Sequence, residues 1–261
     1  MSATKARVCV GMSGGVDSSV TAYLLKQQGY DVIGLTFRNW PQDCISRAED
    51  KCCGPQAVTD ARMVAHSLGI PYYVVDEIET FQQEVINYFV AEYKNGRTPN
   101  PCVVCNEKVK FGSLLKKAQT LGAEFIATGH YARIEKAHAP DEERKGNEDG
   151  ARYVLRKGLD DHKDQSYFLF SLRQEQLARS LMPLGGLSKE ETRAIAKEMG
   201  FKTAEKVESQ EIASCRTRIT VVSFATARRC PTTKVRLLRA PGKCFPTTLA
   251  SNISPLVSGK A

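Results

Sequence analysis

No apolar run in this 261-residue chain approaches the roughly 18–20 residues that span a bilayer. The opening MSATKARVCVGM also lacks the long apolar stretch of a secretion signal. A membrane-spanning helix is therefore excluded, and a cytoplasmic location is expected. Internal repeats and low-complexity tracts are missing too, which excludes solenoids and biased linkers. Acidic residues are missing from one region only. Residues 213–261 hold nine Lys and Arg and no Asp or Glu. Removing those nine from the chain's 37 basic and 29 acidic residues leaves 28 against 29. The formal charge of +8 thus belongs to the tail, and the body is near neutral. The nine cysteines are an odd number without a secretion signal. They suit a reducing compartment, where thiols bind metal or react rather than staple loops.

What is present in the body is an alternation of strand-like and helix-like segments. RVCVGM (7–12) is short, apolar and β-branched, and reads as a buried strand. SSVTAYLLKQQ follows with helical spacing and a closing Gly29. DVIGLTF (31–37), PYYVVD (71–76) and FIATGHYA (125–132) read as further strands. Helices are expected over 55–69, 79–94 and the stretch after Asn106. RTPNPCVVCN (97–106), with two prolines, is expected to be a loop. Residues 137–151 read as a charged hairpin tip between two strand-like runs. SKEETRAIAKEMG (188–200) opens with a Ser-x-x-Glu capping box. The fold class expected is α/β, a Rossmann-like parallel sheet with flanking helices.

The first strand runs into Ser13-Gly14-Gly15-Val16-Asp17-Ser18-Ser19 and then a helix. Two glycines let the backbone turn tightly against an anion. The following helix N-terminus directs N–H groups and positive partial charge at it. The hydroxyls of Ser13, Ser18 and Ser19 are further candidate donors. Asp17 would repel bare phosphates, so its expected place is beside a Mg2+ ion that bridges them. A plain Gly-rich turn capped by serines is the alternative. The loop has neither the Gly-Lys-Ser/Thr of a Walker A sequence nor the GxGxxG dinucleotide fingerprint. It resembles the PP-loop of the ATP pyrophosphatases, which split ATP between its α- and β-phosphates. That resemblance implies ATP as cosubstrate, held by Gly11, Met12 and Ser13 through Ser19.

Further stretches resemble one family in order: GMSGGVDSSV (11–20), GLTFRNW (34–40), AEYKNGRTPNPCVVCN (91–106), KFGSLL (110–115), ATGHYAR (127–133), KDQSYFL (163–169) and ESQEI (208–212). Together they are similar to the bacterial tRNA-specific 2-thiouridylases. The resemblance implies adenylation of the C2 oxygen of the wobble uridine in tRNAs for Lys, Glu and Gln, followed by sulfur delivery from a cysteine persulfide. A sulfur-relay protein charges that persulfide, and a disulfide between two cysteines closes the cycle. The family's reacting cysteine falls on Cys105, and its adenine contacts fall near Phe37 and Gly129. Contacts to the target base fall on Asn100, Pro101 and Cys102. Further tRNA contacts fall on Lys163, Asp164 and Gln165, a stretch that also reads as a polar turn.

The residues support Cys105 independently. It lies in a Pro-constrained segment before an expected helix carrying Lys108 and Lys110, and a helix N-terminus with nearby cations favours thiolate. Cys102-Val103-Val104-Cys105 is also a CxxC, and Cys44, Cys52 and Cys53 would complete a four-thiolate zinc site. A CxxC without a second one is weak evidence for that. Cys9, on a buried strand, reads as core. Gly129 and His130 end a strand, where open α/β sheets bind ligands. Gly129 would admit a nucleotide, and His130 reads as a hydrogen-bonded structural residue.

The family pattern breaks after Ile212. The persulfide cysteine is expected at position 213, where Ala213 stands, and Cys215 comes two residues later. Codons compatible with the start of the tail, with one base restored, also encode Cys-Ile-Val-Pro-Asp-Lys-Asp-Tyr-Arg-Arg-Phe-Leu, which matches the family. A frameshift is therefore expected, with Cys215 accidental and the tail poorly ordered. The organisation expected is a PP-loop domain over 1–172, a helical start of a central region over 173–212, and an aberrant basic tail over 213–261. Sulfur transfer is expected to be impaired.

Overall fold

The computed structural model describes residues 5–39, 55–138, 151–206, 220–222 and 234–236. Its main sheet has five parallel strands. β1 (Lys5–Gly11) pairs on one side with β2 (Tyr30–Arg38), which pairs with β3 (Tyr72–Asp76). On its other side β1 pairs with β4 (Phe125–Ala127), whose register sets Val10 opposite Ala127. Between these strands run α1 (Val16–Gln27), α2 (Pro55–Leu68), α3 over 78–94 and α4 over 101–120. Both α3 and α4 contain widened π-type turns, at Gln82–Ile86 and Cys105–Ser113.

Helices cover both faces, and this explains why the strands read as unbroken apolar runs. Val8, Val10 and Val32 pack with Val20, Leu25, Ala61 and Val64 of α1 and α2. Cys9, Ile33 and Leu35 point the other way, into Phe81 and Val85 of α3 and Val109, Phe111 and Leu114 of α4. Cys9 is fully buried, as its reading as core required. Burial pushes its thiol up to about 12.

An antiparallel hairpin, β5 (Ala132–His138) with β6 (Ala151–Lys157), follows β4. The expected mobile tip between them lies outside the described residues. Beyond come α5 (Gln174–Ala178), β7 (Ser180–Leu181) and α6 (Lys189–Glu198). Ser188 and Glu191 close the expected capping box: Ser188 Oγ accepts from Glu191 N–H at 3.1 Å, and Glu191 Oε2 accepts from Ser188 N–H at 2.7 Å.

Three local expectations change. FIATGHYA is not one strand, because β4 ends at Ala127 and β5 starts at Ala132. RTPNPCVVCN is loop only to Asn100, since Pro101 opens α4. Proline lacks only an N–H that the first turn leaves unpaired anyway, so a proline there starts a helix rather than breaking one. β7 is unanticipated and is too short to show a period. It pairs in parallel with β4 as the fifth strand, so part of 173–212 belongs to the main sheet.

In the tail, β8 (Thr220–Val222) and β9 (Lys234–Arg236) pair antiparallel. Apart from these strands, the tail and the expectation of its disorder lie outside the described residues. Among the described residues no helix is long and apolar enough to cross a membrane.

Candidate active site

The strand order β3-β2-β1-β4-β7 reverses direction at β1, so the crevice beyond the carboxyl ends of β1 and β4 is the switch point where open α/β sheets take ligands. Helices that link parallel strands run back against them. The N-termini of α1 and α4 therefore both lie at this edge.

Between β1 and α1, Gly14 holds φ +70°. A Cβ there would sit 2.2 Å from the Ala57 carbonyl, so position 14 requires glycine on two grounds. Gly15 is the N-cap of α1 and supplies no side-chain cap. The first-turn N–H groups therefore face the crevice without a side-chain acceptor, which suits an anion. The serines differ from expectation. Ser18 Oγ donates to the Gly15 carbonyl at 3.1 Å and accepts from Ser13 N–H at 3.1 Å. Ser19 Oγ donates to the same carbonyl at 2.9 Å. Both serines are buried, so they shape the loop from within, and the backbone is its anion-facing part.

A strap from the C-terminal side grips this loop, and the sequence reading missed it. Lys189 Nζ donates to both carboxylate oxygens of Asp17, at 2.7 and 2.9 Å, with its side chain only 8% exposed. Tyr131 Oη donates to Asp17 Oδ1 at 2.9 Å, and the Lys189 ammonium lies 5.6 Å from the Tyr131 ring centre. Thr203 Oγ1 donates to Ser19 Oγ at 3.2 Å. Lys206 Nζ donates to the Gly14 carbonyl at 3.1 Å and to Asp60 at 2.5 Å. Asp17 is thus neutralised from within the protein. Among the described residues no cluster of three or more metal-binding side chains exists. The donor set here fits a metal only as a companion of incoming phosphates, with Asp17 as a single carboxylate.

Gly129 lies at the end of β4. A Cβ there would come within 2.8 Å of the Asp17 backbone and 2.9 Å of the Ser18 nitrogen. Its small size lets the end of β4 close onto the first turn of α1, a protein contact in addition to any nucleotide. His130 is buried, with Nδ1 2.8 Å from Thr128 Oγ1 and its ring stacked obliquely on Phe111. Burial first, and then the charge of Lys110, hold its pKa well below the usual range. It is a neutral structural residue. Phe37 lies one residue before the end of β2, at the same edge, but is buried against the α3–α4 layer.

At the N-terminus of α4, Asn100 Oδ1 accepts from Cys102 N–H at 3.1 Å and Val103 N–H at 3.4 Å, with Pro101 at the first helical position. Cys105 therefore does not precede a helix. It sits one turn inside, 7% exposed. Cys102, in the first turn, is half-buried. Lys108, one of the expected activating cations, pairs with Glu107 at 2.7 Å. Asn106 Nδ2 donates to the Phe168 carbonyl at 3.0 Å and ties this helix to the 163–169 turn.

In that turn Asp164 accepts from Gly158 N–H at 2.9 Å and from Ser166 Oγ at 2.8 Å. Burial pushes its carboxyl up, but these bonds and Lys157 outweigh it and hold it below the usual range. Gln165 exchanges two bonds with the Tyr131 backbone, at 2.9 and 3.2 Å. Asp164 thus fastens the turn to the end of β6, and Gln165 fastens it to the start of β5. Lys163 donates its N–H to the Asp160 carbonyl at 3.0 Å. Ala213, Cys215, Cys44, Cys52 and Cys53 lie outside the described residues.

The family described as "tRNA methyl transferase HUP domain" matches residues 6–216. The chain belongs to that family. Its match ends three residues past Ala213 and leaves the rest of the basic tail outside. The tRNA-specific 2-thiouridylase MnmA of Clostridioides difficile (strain 630) is 51% identical over 206 residues, covering 79% of this chain and 54% of that protein. MnmA 1 of Caldanaerobacter subterraneus is 56% identical over 209 residues, with the same two coverages. The resemblance read from the ordered motifs is borne out. This family member spans about half the length of the curated relatives it matches. A 4-thiouridine synthetase–RNA complex with bound ATP aligns with TM-score 0.48 and 18% identity, over 77% of this chain and 43% of that one.

Proposed function

We propose that this chain is the ATP-binding, base-activating part of a tRNA 2-thiouridylase. The observation that carries the reading is the meeting of an uncapped, Gly-turned helix N-terminus and a cysteine-bearing helix N-terminus at one sheet edge. The backbone N–H groups of Gly15 through Ser18, with Gly11 and Met12 behind them, hold the phosphates of ATP. Phe37 and Gly129 border the adenine. Asp17 would hold a Mg2+ ion that accompanies the phosphates, and that ion would supply charge neutralisation of the phosphate oxygens. Asn100, Pro101 and Cys102 border the target uracil, and Lys163, Asp164 and Gln165 present a turn to the tRNA. ATP adenylates the C2 oxygen, and Cys105 acts as the nucleophile in the sulfur transfer to C2, for which the family carries the relay's persulfide at position 213. The partners are tRNAs for Lys, Glu and Gln, and the location is cytoplasmic.

Residues 1–172 and 173–212 act together here, since the strap of 189–206 grips the phosphate loop. Residues 213–261 are read as an out-of-frame tail whose nine basic residues bind RNA without specificity. Sulfur transfer is impaired by the absence of a cysteine at 213. Sequencing the nucleotides around codon 213 tests the frameshift, which fails if they cannot encode the family run in another frame.

Pyrophosphate release measured with and without tRNA tests the activation step. Release driven by tRNA supports the reading. Release driven by a small amine alone would identify a different PP-loop ligase, a reading that the cysteines of α4 disfavour because amide ligation needs no thiol. Mass spectrometry of tRNA from a thiouridylase-null strain expressing the chain tests the full reaction. Restored 2-thiouridine would overturn the impairment. ATP binding without any tRNA-driven turnover would reduce the chain to a nucleotide-binding remnant.

A further inference from the structure

We propose that Tyr167 and Phe170 form a stacking platform for unpaired bases of an RNA, with the groove beside Phe170 taking one base and Arg152 meeting its phosphate. Tyr167 and Phe170 are the most exposed large apolar side chains among the described residues, at 65% and 67%. They stand on and just after the 3-10 turn Ser166–Leu169. Residues three apart eclipse in such a turn. The two rings therefore share its outer side, with centres 6.0 Å apart and planes at 43°. Leu169 and Leu172 of the same segment are buried. Core packing thus accounts for the leucines and leaves the two aromatics to a partner.

Beside the pair lies a groove of about 380 Å³, lined by Arg152, Tyr153, Leu155, Leu169, Phe170 and Gln174 among others. Small-ligand sites occupy roughly 300–1,000 Å³, so a base fits. The Gln174 side chain ties its walls together: Nε2 donates to the Tyr153 carbonyl at 2.9 Å, and Oε1 accepts from Tyr153 N–H at 2.8 Å. Of the described residues that line the groove, Arg152 alone is charged, and it is exposed. A slot with an aromatic face and one guanidinium suits a flat base on an anionic chain, since every base has a π-face. A second copy docked through the same patch would instead set arginine against arginine, with no carboxylate in the lining to receive it.

The platform is fastened to the cysteine-bearing helix. Asn106 Nδ2 donates to the Phe168 carbonyl at 3.0 Å, and Gln176 Nε2 to the Phe111 carbonyl at 2.9 Å. Cys105 and Tyr167 each stand one residue before the first bonded pair. Which RNA stacks here rests on the proposed function. On that reading the rings hold nucleotides that flank the target uridine, which offsets the unstacking needed to present it. The platform itself rests on the exposed rings and the groove.

The test uses the full chain and an anticodon stem–loop RNA with 5-iodouridine beside the target uridine. After irradiation and trypsin, the crosslink should lie in Asp164–Arg173, the tryptic peptide that holds both rings. Tyr167→Ala and Phe170→Ala should each weaken stem–loop binding about tenfold and leave ATP affinity unchanged, which shows that the fold persists. Tyr167→Phe and Phe170→Tyr should keep the binding, whereas leucine at either position should not. Arg152→Gln should lower the slope of log affinity against log salt by about 0.7, one phosphate on a single strand. Crosslinks confined to the tail, leucine variants that bind like the wild type, or no RNA binding by the wild type would overturn the platform. So would a dimer that Phe170→Ala dissolves, which would assign the patch to a second copy. If the crosslink and the need for aromatic rings appear but RNA never drives pyrophosphate release, the proposed function fails and the platform stands. If tRNA drives release and both alanine variants bind the stem–loop normally, the platform alone fails.

Discussion

Two helices begin at the carboxyl edge of the sheet, and they begin in opposite ways. α1 follows a turn with a left-handed glycine, and its N-cap, Gly15, offers no side chain. α4 is capped by Asn100, whose carboxamide takes two N–H groups, and Pro101 removes a third. An uncapped N-terminus leaves its donors to whatever anion arrives. A capped one holds its own chain rigidly and offers side chains instead, here Cys102 and Cys105. On the proposed reading, phosphate binding and thiol chemistry are divided between two helix starts by their caps. The strap of 189–206 grips the first.

The largest expected effect is at Gly14. Gly14→Ala combines a left-handed φ with a Cβ inside the Ala57 backbone, and should destabilise by about 3 kcal/mol. Urea denaturation measures it, with loss of ATP binding in parallel. A change below a few tenths would show that the turn relaxes freely and is not the rigid member of the pair.

Lys189→Met comes next. It leaves Asp17 beside Tyr131 without its cation. Fully buried pairs lose 3–5 kcal/mol when one partner is removed. Asp17 is 31% exposed, so about 2 kcal/mol is expected here. A double-mutant cycle with Asp17→Asn should recover much of the loss, since the stranded charge is then gone. Strict additivity would mean that the strap does not hold α1's first turn through this pair.

Asn100→Ala should cost about 1 kcal/mol, the usual worth of an N-cap. It should also speed alkylation of Cys102 and Cys105 in Thr98–Lys108 without changing ATP affinity. An equal loss of ATP affinity would join the two helix starts into one unit and break the comparison.

How legible was this edge in the sequence? The loop was readable because two glycines stand between an apolar β-branched strand and a helical run. That local order sets the backbone whatever packs around it. The cysteine segment was half readable. Asn-Pro is a helix-start signal, yet two prolines within four residues pointed to loop. The strap was unreadable, because its contacts join residues 146 to 192 positions apart and no periodicity records them. Lys189 sat in plain view as the second residue of a recognised capping box. Nothing local says that its amine turns inward to a carboxylate. Gly129 was selected as a residue that admits a nucleotide, whereas the Asp17–Ser18 backbone alone already requires its size.

The His130 effect is smaller and separates the structural layer from both helix starts. Its folded pKa lies well below 6.5, through burial and then Lys110. The unfolded chain therefore binds a proton that the folded one refuses. Stability is full above pH 6.5 and falls as pH drops through it. By pH 6 the loss should be about 0.8 kcal/mol relative to pH 8. His130→Gln should flatten that part of the pH–stability curve. An unchanged curve would mean that the imidazole takes up its proton in place.

The smallest stability change is the sharpest test of the comparison. Gly15 has φ −100° and ψ 167°, extended backbone open to any residue. A Cβ there meets nothing nearer than Ser13 Oγ at 3.5 Å. Gly15→Asp therefore gives α1 the kind of cap that α4 already has. Stability should rise by only a few tenths of a kcal/mol, the usual difference between glycine and a good cap. ATP affinity should fall far more, because the new carboxylate takes the N–H groups and repels the phosphates. Stability and binding must then move in opposite directions. If both rise, or if affinity is untouched, the backbone donors of α1 are not what the nucleotide uses. The absence of a cap would then be incidental to the site.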